Sequence, residues 1–264
     1  VFVDIDESTL NINPELIEAA ITDKTSAILA THVFGNPCDI YKIQSIAKKH
    51  KLSVIYDASH CFGVSYENES VFLYGDVSTT SFHSTKLFHT VEGGALFSVD
   101  PDLIKRMAYM RNFGHKTYEE FECVGINGKN SELHAAIGLL NLKYIDSILE
   151  TRKEQHTLYN DALEPLKVKR PVINKNCKWN FSYYPIIFDT EELLLKSLKD
   201  LNENWIYPRR YFYPSLSTLE YVDKYEVPIC DSISKRIMCL PLYHTLKKQD
   251  IDFIARILLR TQNY

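Results

Sequence analysis

Short apolar runs of strand length alternate with stretches of helical period along the first 100 residues. Ser26-Ala27-Ile28-Leu29-Ala30-Thr31 is one such run. Phe34-Gly35-Asn36-Pro37 follows as a turn, and Asp39 stands where a helix cap is needed. The helix after it places Ile40, Ile43, Ile46 and Ala47 on one face and Lys42, Lys48 and Lys49 outside. Next come a strand over 52–57, a polar loop at 67–70 and a strand over 77–82. After Gly93-Gly94, the run Ala95-Leu96-Phe97-Ser98-Val99 predicts another buried strand, as does the opening Val1-Phe2-Val3-Asp4-Ile5-Asp6. Alternating strands and helices predict an α/β fold, with a mostly parallel sheet flanked by helices on both faces.

From Ser131 the period changes. Leu133, Ile137, Leu140, Tyr144 and Ile148 predict one long helix, either core or the stem joining two lobes. Beyond it, a strand over 181–188, a helix over 191–201 and an amphipathic helix over 251–259 predict a small C-terminal α+β lobe. The expected division is a large domain over 1–160 and a small domain over 161–264. Internal repeats and low-complexity tracts are absent.

Composition narrows the class. At 264 residues with 45% hydrophobic and 24% charged positions, the chain can bury a sizeable core, which excludes disorder. The net charge of −4 is interspersed, and Lys48-Lys49, Arg209-Arg210 and Lys247-Lys248 are too short for a nucleic-acid stripe, so no nucleic-acid partner is expected. Six cysteines without a CxxC pair read as reduced structural thiols of a cytoplasmic protein. No apolar run reaches the roughly 18 residues of a membrane span, and the stretch from Val1 does not read as a charged-then-apolar leader.

The candidate chemistry centres on Lys86 in Ser81-Phe82-His83-Ser84-Thr85-Lys86, followed by Glu92-Gly93-Gly94. An amine that forms a Schiff base must face a bound aldehyde from a rigid support, and the Ser81 hydroxyl five residues upstream suits that aldehyde's phosphate. Asp57 ends the buried run Val54-Ile55-Tyr56, where ligands of open α/β sheets collect. A carboxylate there suits a protonated pyridine nitrogen, and His60 is close enough in sequence to contact the cofactor's phenolic oxygen or lie against its ring. Together these residues point to pyridoxal phosphate (PLP), with Lys86 as covalent anchor and proton carrier.

Two further clusters suit anions. Gly125-Ile126-Asn127-Gly128-Lys129-Asn130 precedes a helix and can present Lys129 and backbone amides. It is not a nucleotide P-loop: Cys123 replaces the first glycine, and neither Ser nor Thr follows Lys129. In Tyr207-Pro208-Arg209-Arg210-Tyr211-Phe212-Tyr213-Pro214, Arg209, Arg210 and Tyr213 suit a phosphorylated, ring-bearing substrate; the same string also suits a packed strand. HExxH, GxGxxG and paired CxxC motifs are absent, so neither a metal nor a dinucleotide is expected.

At these residues the chain resembles the sugar-nucleotide aminotransferases of the DegT/StrS family, PLP enzymes of fold type I. The resemblance runs from Val1 through Tyr243. It includes His32-x-Phe34-Gly35-x-Pro37, Asp57-Ala58-Ser59-His60, Ser81-Phe82-His83-x-x-Lys86, Glu92-Gly93-Gly94 and the Gly-x-Asn-Gly-Lys loop. It implies that Lys86 holds the cofactor covalently, Asp57 pairs with its pyridine nitrogen, His60 stands where many relatives have Gln, and Ser81 binds the phosphate. It also implies that Asn127 reaches the neighbouring subunit's cofactor in a homodimer. Lysine at position 86 sets the chain apart from the family's dehydratase branch, where a histidine replaces it. Family members carry several dozen residues before the segment at Val1, including a phosphate loop, so part of the large domain is expected to be missing.

The chain looks most like members acting on dTDP-linked keto-6-deoxyhexoses in surface-polysaccharide biosynthesis. The implied reaction moves an amino group from L-glutamate to a 4-keto sugar. Three alternatives stay open: a 3-keto substrate, a PLP enzyme acting on free amino acids, and a truncated remnant that only binds sugar nucleotide or a partner.

Overall fold

A computed structural model describes residues 1–263; Tyr264, the last residue of the expected C-terminal lobe, lies outside the described residues. Helix α1 (Pro14–Ala20) begins where Asn13 accepts the Glu15 amide, with proline in the first turn, where its missing N–H is not needed. Strand β1 (Ala27–Thr31) leads to helix α2 (Ile40–His50), which Asp39 caps at the Lys42 amide as expected. Strand β2 (Ser53–Asp57), the short hairpin β3 (Ser65–Tyr66) and β4 (Glu69–Ser70), β5 (Val77–Ser81) and β6 (Gly94–Phe97) follow. Next come α3 (Pro101–Arg111), α4 (Glu132–Leu142) and α5 (Ile145–Ala162). The chain ends with β7 (Cys177–Lys178), β8 (Tyr184–Ile187), α6 (Glu191–Glu203), α7 (Pro228–Arg236), β9 (Ile237–Leu240) and α8 (Lys248–Asn263).

By contact the chain falls into two units, one over Lys24–Ile145 with Asn176–Lys178, the other over Val1–Asp23, Asp146–Lys175 and Trp179–Tyr264. The first holds the main sheet, in the order β1-β2-β5-β6, parallel except for β6. Ile28, Ala30, Val54 and Tyr56 are buried on the strands, and Ile40, Ile43 and Ala47 on α2, as the helical period predicts. The second unit pairs β8 with β9, and its core gathers Tyr159, Leu163, Tyr184, Ile186, Met238 and Ile254. Among the described residues no helix is long and apolar enough to cross a membrane. All six cysteines are free thiols.

Three local expectations are corrected. Val1 to Asp6 form no strand; Ile5 makes one bridge to Ile12, because the carboxylates take local and long-range amides instead. Asp6 accepts the Ser8 and Thr9 amides, while Asp4 accepts those of Ile229 and Cys230 at 2.9 Å each and so supplies the side-chain cap that Val227 cannot give α7. Strand β6 is not buried, since it pairs only with β5 and leaves Leu96 half exposed. The long helix is broken between Leu142 and Ile145, and its apolar stripe is open, with Leu133 at 79% exposure. The buried position of α4 is Gly138, roughly a third of a turn from that stripe. A Cβ at Gly138 would meet the Thr90 methyl at 2.7 Å.

Candidate active site

The parallel pairing of β2 with β5 sets Asp57, the last residue of β2, opposite Thr79 in the middle of β5. The pairing continues past the end of β2: the Ala58 amide donates to the Thr79 carbonyl at 2.9 Å, and the Thr80 hydroxyl to the Ala58 carbonyl at 3.2 Å. Beyond them the two chain segments are joined by aromatics. Phe62 stacks on Phe88 with centroids 4.1 Å apart, and Phe82 meets Phe88 edge-on at 5.2 Å. Phe62 lies two residues after His60, and Phe88 two residues after Lys86, so this apolar contact ties the two motifs into one site.

Asp57 is pre-oriented. Its Oδ1 accepts both the Ser59 amide at 3.0 Å and the Ser59 hydroxyl at 2.5 Å. That leaves Oδ2 for another donor. His60 is 6% exposed, and its Nδ1 accepts the Phe34 amide at 3.1 Å. Burial, reinforced by the Lys86 charge and opposed by Asp57, lowers its pKa to about 3. The ring is therefore neutral at physiological pH, and with Nδ1 accepting, Nε2 carries the proton. His60 thus answers to both Lys86 and Asp57, which places all three charges or dipoles in one neighbourhood.

Ser81 closes β5, and its oxygen accepts the His83 amide at 3.3 Å, so its own proton is left to donate elsewhere. Lys86 sits in a turn closed by its amide on the His83 carbonyl at 2.9 Å. The turn is braced by Thr85, whose hydroxyl lies 2.8 Å from His83 Nδ1, and by a 3.5 Å contact between His83 Nε2 and Glu92. Behind it, Leu87 and Phe88 are buried, and Asn141 of α4 donates to the His89 carbonyl at 2.9 Å.

The other predicted residues are placed differently. Asn127 lies on an exposed loop, bridged to Asn112, and its side-chain oxygen takes the Lys129 ammonium at 2.7 Å. Lys129 also stands 4.1 Å over the Phe113 ring. Arg209, Arg210 and Tyr213 belong to the other unit. Arg210 is held by Glu191 at 2.8 Å and the Lys235 carbonyl at 2.9 Å, and stacks 3.6 Å over Tyr213. Arg209 is exposed. Sequence reasoning gave no role to Ser59, Phe34 or the phenylalanine cluster. The Asp-x-Ser spacing is an Asx-turn signal for Ser59; the Phe34 amide, being backbone, carries no residue-type signal.

The donor set fits a phosphorylated pyridine aldehyde: an anionic acceptor in Asp57, a neutral N–H in His60, a hydroxyl donor in Ser81 and an amine in Lys86. Comparison with known proteins agrees with that chemistry. The family model described as the DegT/DnrJ/EryC1/StrS aminotransferase family matches residues 1–259. A dTDP-4-amino-4,6-dideoxy-D-glucose transaminase of Shigella dysenteriae is 40% identical over 97% of this chain and 71% of its own length. A transaminase of the same description from Escherichia coli is 36% identical over 98% of this chain and 72% of its own length. Among solved structures, DesI in the presence of its TDP-sugar product has a TM-score of 0.92 and 29% identity, covering 99% of this chain and 69% of that one.

Proposed function

The chain belongs to the DegT/DnrJ/EryC1/StrS aminotransferase family, and from that premise we propose that it moves an amino group from L-glutamate to a dTDP-linked 4-keto-6-deoxyhexose in the cytoplasm, using PLP. The observation that carries the reading is Asp57 held by Ser59 beside a neutral His60 and Lys86. The 36–40% identity to two transaminases of 4-amino-4,6-dideoxyglucose supports the sugar and the nucleotide.

When bound, PLP supplies an electron sink for charge developing on the amino-bearing carbon. Asp57 Oδ2 keeps a proton on the pyridine nitrogen, and Ser59 prevents the carboxylate from rotating away. His60 Nε2–H donates to the ring's phenolic oxygen, and the Ser81 hydroxyl donates to the phosphate. Lys86 Nζ would be the covalent anchor of the PLP aldehyde, held out by the turn that His83 and Thr85 brace. In its neutral form Lys86 Nζ would hold and move the proton at the amino-bearing carbon, that of glutamate in one half-reaction and that of the sugar in the other. Asn127 is assigned to the neighbouring subunit's cofactor in a homodimer, and Lys129, Arg209, Arg210 and Tyr213 to the substrate side, with Arg210 and Tyr213 acting as the pair they already form.

Incubation with PLP followed by borohydride reduction and peptide mapping tests the reading. The expected label is on Lys86 alone, with 2-oxoglutarate released when glutamate and the dTDP-keto sugar are supplied together. A label on another lysine, or none in the chain extended to its relatives' length, would sink it.

A further inference from the structure

Within the first unit, every polar group of His83 is committed around the lysine turn. Its amide donates to the Ser81 oxygen at 3.3 Å, and its carbonyl accepts the Lys86 amide at 2.9 Å. Its ring meets Thr85 on one side and Glu92 on the other. The local pairing brings Glu92 there: Phe82 donates its amide to the Gly93 carbonyl at 2.8 Å and accepts the Thr90 amide at 2.9 Å. The segments on either side of the turn are thereby held together, with His83 facing Glu92 across them.

The two ring nitrogens have unlike partners. Nδ1 accepts the Thr85 amide at 3.2 Å, which only an unprotonated nitrogen can do, so the Thr85 hydroxyl 2.8 Å away donates to it as well. The ring proton then lies on Nε2, which faces the Glu92 carboxylate at 3.5 Å. Both side chains of that contact are exposed, so it adds little to stability. Its consequence is the choice of tautomer. Without the carboxylate the two neutral forms compete, and a ring protonated on Nδ1 offers the Thr85 amide no acceptor.

We propose that Glu92 is a positioning residue for Lys86 and acts through the His83 ring. The carboxylate keeps the ring proton on Nε2, Nδ1 thereby stays an acceptor, and the residue before Lys86 is fixed so that the amine projects in one direction. That the amine carries a cofactor rests on the transaminase reading; the ordering of the turn by Glu92 and His83 does not.

Three NMR measurements on the whole chain test this: the ring nitrogen shifts of His83, hydrogen exchange of the Thr85 amide, and the side-chain order parameter of Lys86 at Cε. The wild-type ring is expected to be protonated on Nε2. An Asn oxygen stands where Nδ1 does, whereas a Gln amide reaches only the Nε2 position. His83→Asn should therefore keep Thr85 exchange and Lys86 order close to wild type. His83→Gln should speed the exchange about tenfold, as the loss of one hydrogen bond implies, and lower the Lys86 order parameter. Glu92→Gln still accepts from Nε2 and should keep the wild-type tautomer; Glu92→Leu should mix the tautomers and behave as His83→Gln does. Urea midpoints of these exposed variants should coincide, which separates local ordering from general loss of structure. A wild-type proton on Nδ1, equal exchange in the Asn and Gln variants, or Lys86 order unchanged where exchange has risen overturns the proposal. Borohydride trapping of PLP on the same samples tests the transaminase reading separately, since a missing label beside an ordered turn counts against that reading alone.

Discussion

The Phe34 amide donates to Nδ1 of His60 at 3.1 Å across 26 positions of sequence, and that bond decides which ring nitrogen can give a proton. His60→Leu removes the acceptor and leaves a buried N–H unpaired, a loss of about 1–3 kcal/mol. It also removes a donor to the proposed cofactor, so turnover should fall about tenfold or more. His60→Gln, which retains both a donor and an acceptor, should recover most of each. Urea denaturation and 2-oxoglutarate release measure the two effects; equal behaviour of the Leu and Gln variants would refute the hydrogen-bonding role.

Acid should destabilise the fold well before the carboxylates titrate. Burial, the largest cause in each case, lowers the pKa of His32 and His60 to about 3 and that of His156 to about 4. Unfolded imidazoles bind protons near pH 6.5, so between that value and about pH 4 the unfolded chain takes up protons that the folded chain refuses. Stability is therefore full above about pH 6.5 and is lost as pH falls, by about 1.4 kcal/mol per pH unit for each histidine. Urea midpoints from pH 7.5 to 4.5 record this; a flat curve between pH 7 and 5 would contradict it.

Asp4 is expected to matter out of proportion to its place near the terminus. Asp4→Ala strips the Ile229 and Cys230 amides of their acceptor at the start of α7 and should cost about 1–2 kcal/mol. Asp4→Asn, which keeps an acceptor without the charge, should fall between the two. Chemical denaturation of the three proteins settles the order.

Gly138 offers a second-site test of how α4 supports the lysine loop. Gly138→Ala sets a methyl 2.7 Å from Thr90 Cγ2, and the Thr90 hydroxyl is bonded to the Glu92 carbonyl at 2.6 Å. Labelling of Lys86 by PLP and borohydride should slow in the single variant. Adding Thr90→Ser removes the clashing methyl but keeps the hydroxyl, and should restore the rate. A double variant no better than the single one would show that the close approach is not what braces the loop.

Strand and helix identities around the site were legible because each rests on local period and capping. Asp39 capped α2 as read, and the strands expected over 52–57 and 77–82 are the neighbouring parallel β2 and β5, the second ending one residue early at Ser81. The exposed stripe of α4 was not legible, because helical spacing reports that a face is apolar and says nothing of what lies against it. The same limit applies to Arg209 and Arg210, adjacent in sequence and alike in chemistry. Only packing revealed that Glu191 and Tyr213 claim one of them.

The sequence by itself determined the α/β alternation, the residue types of the chemistry and the family that they mark, since these depend on side-chain identity and short spacings. Tertiary structure alone decided which tautomer His60 holds, how Ser59 aims Asp57, and that Val1–Asp23 joins the unit containing α7. Each of these depends on a backbone amide, a rotamer or a contact between distant positions, and none leaves a periodic trace in the chain.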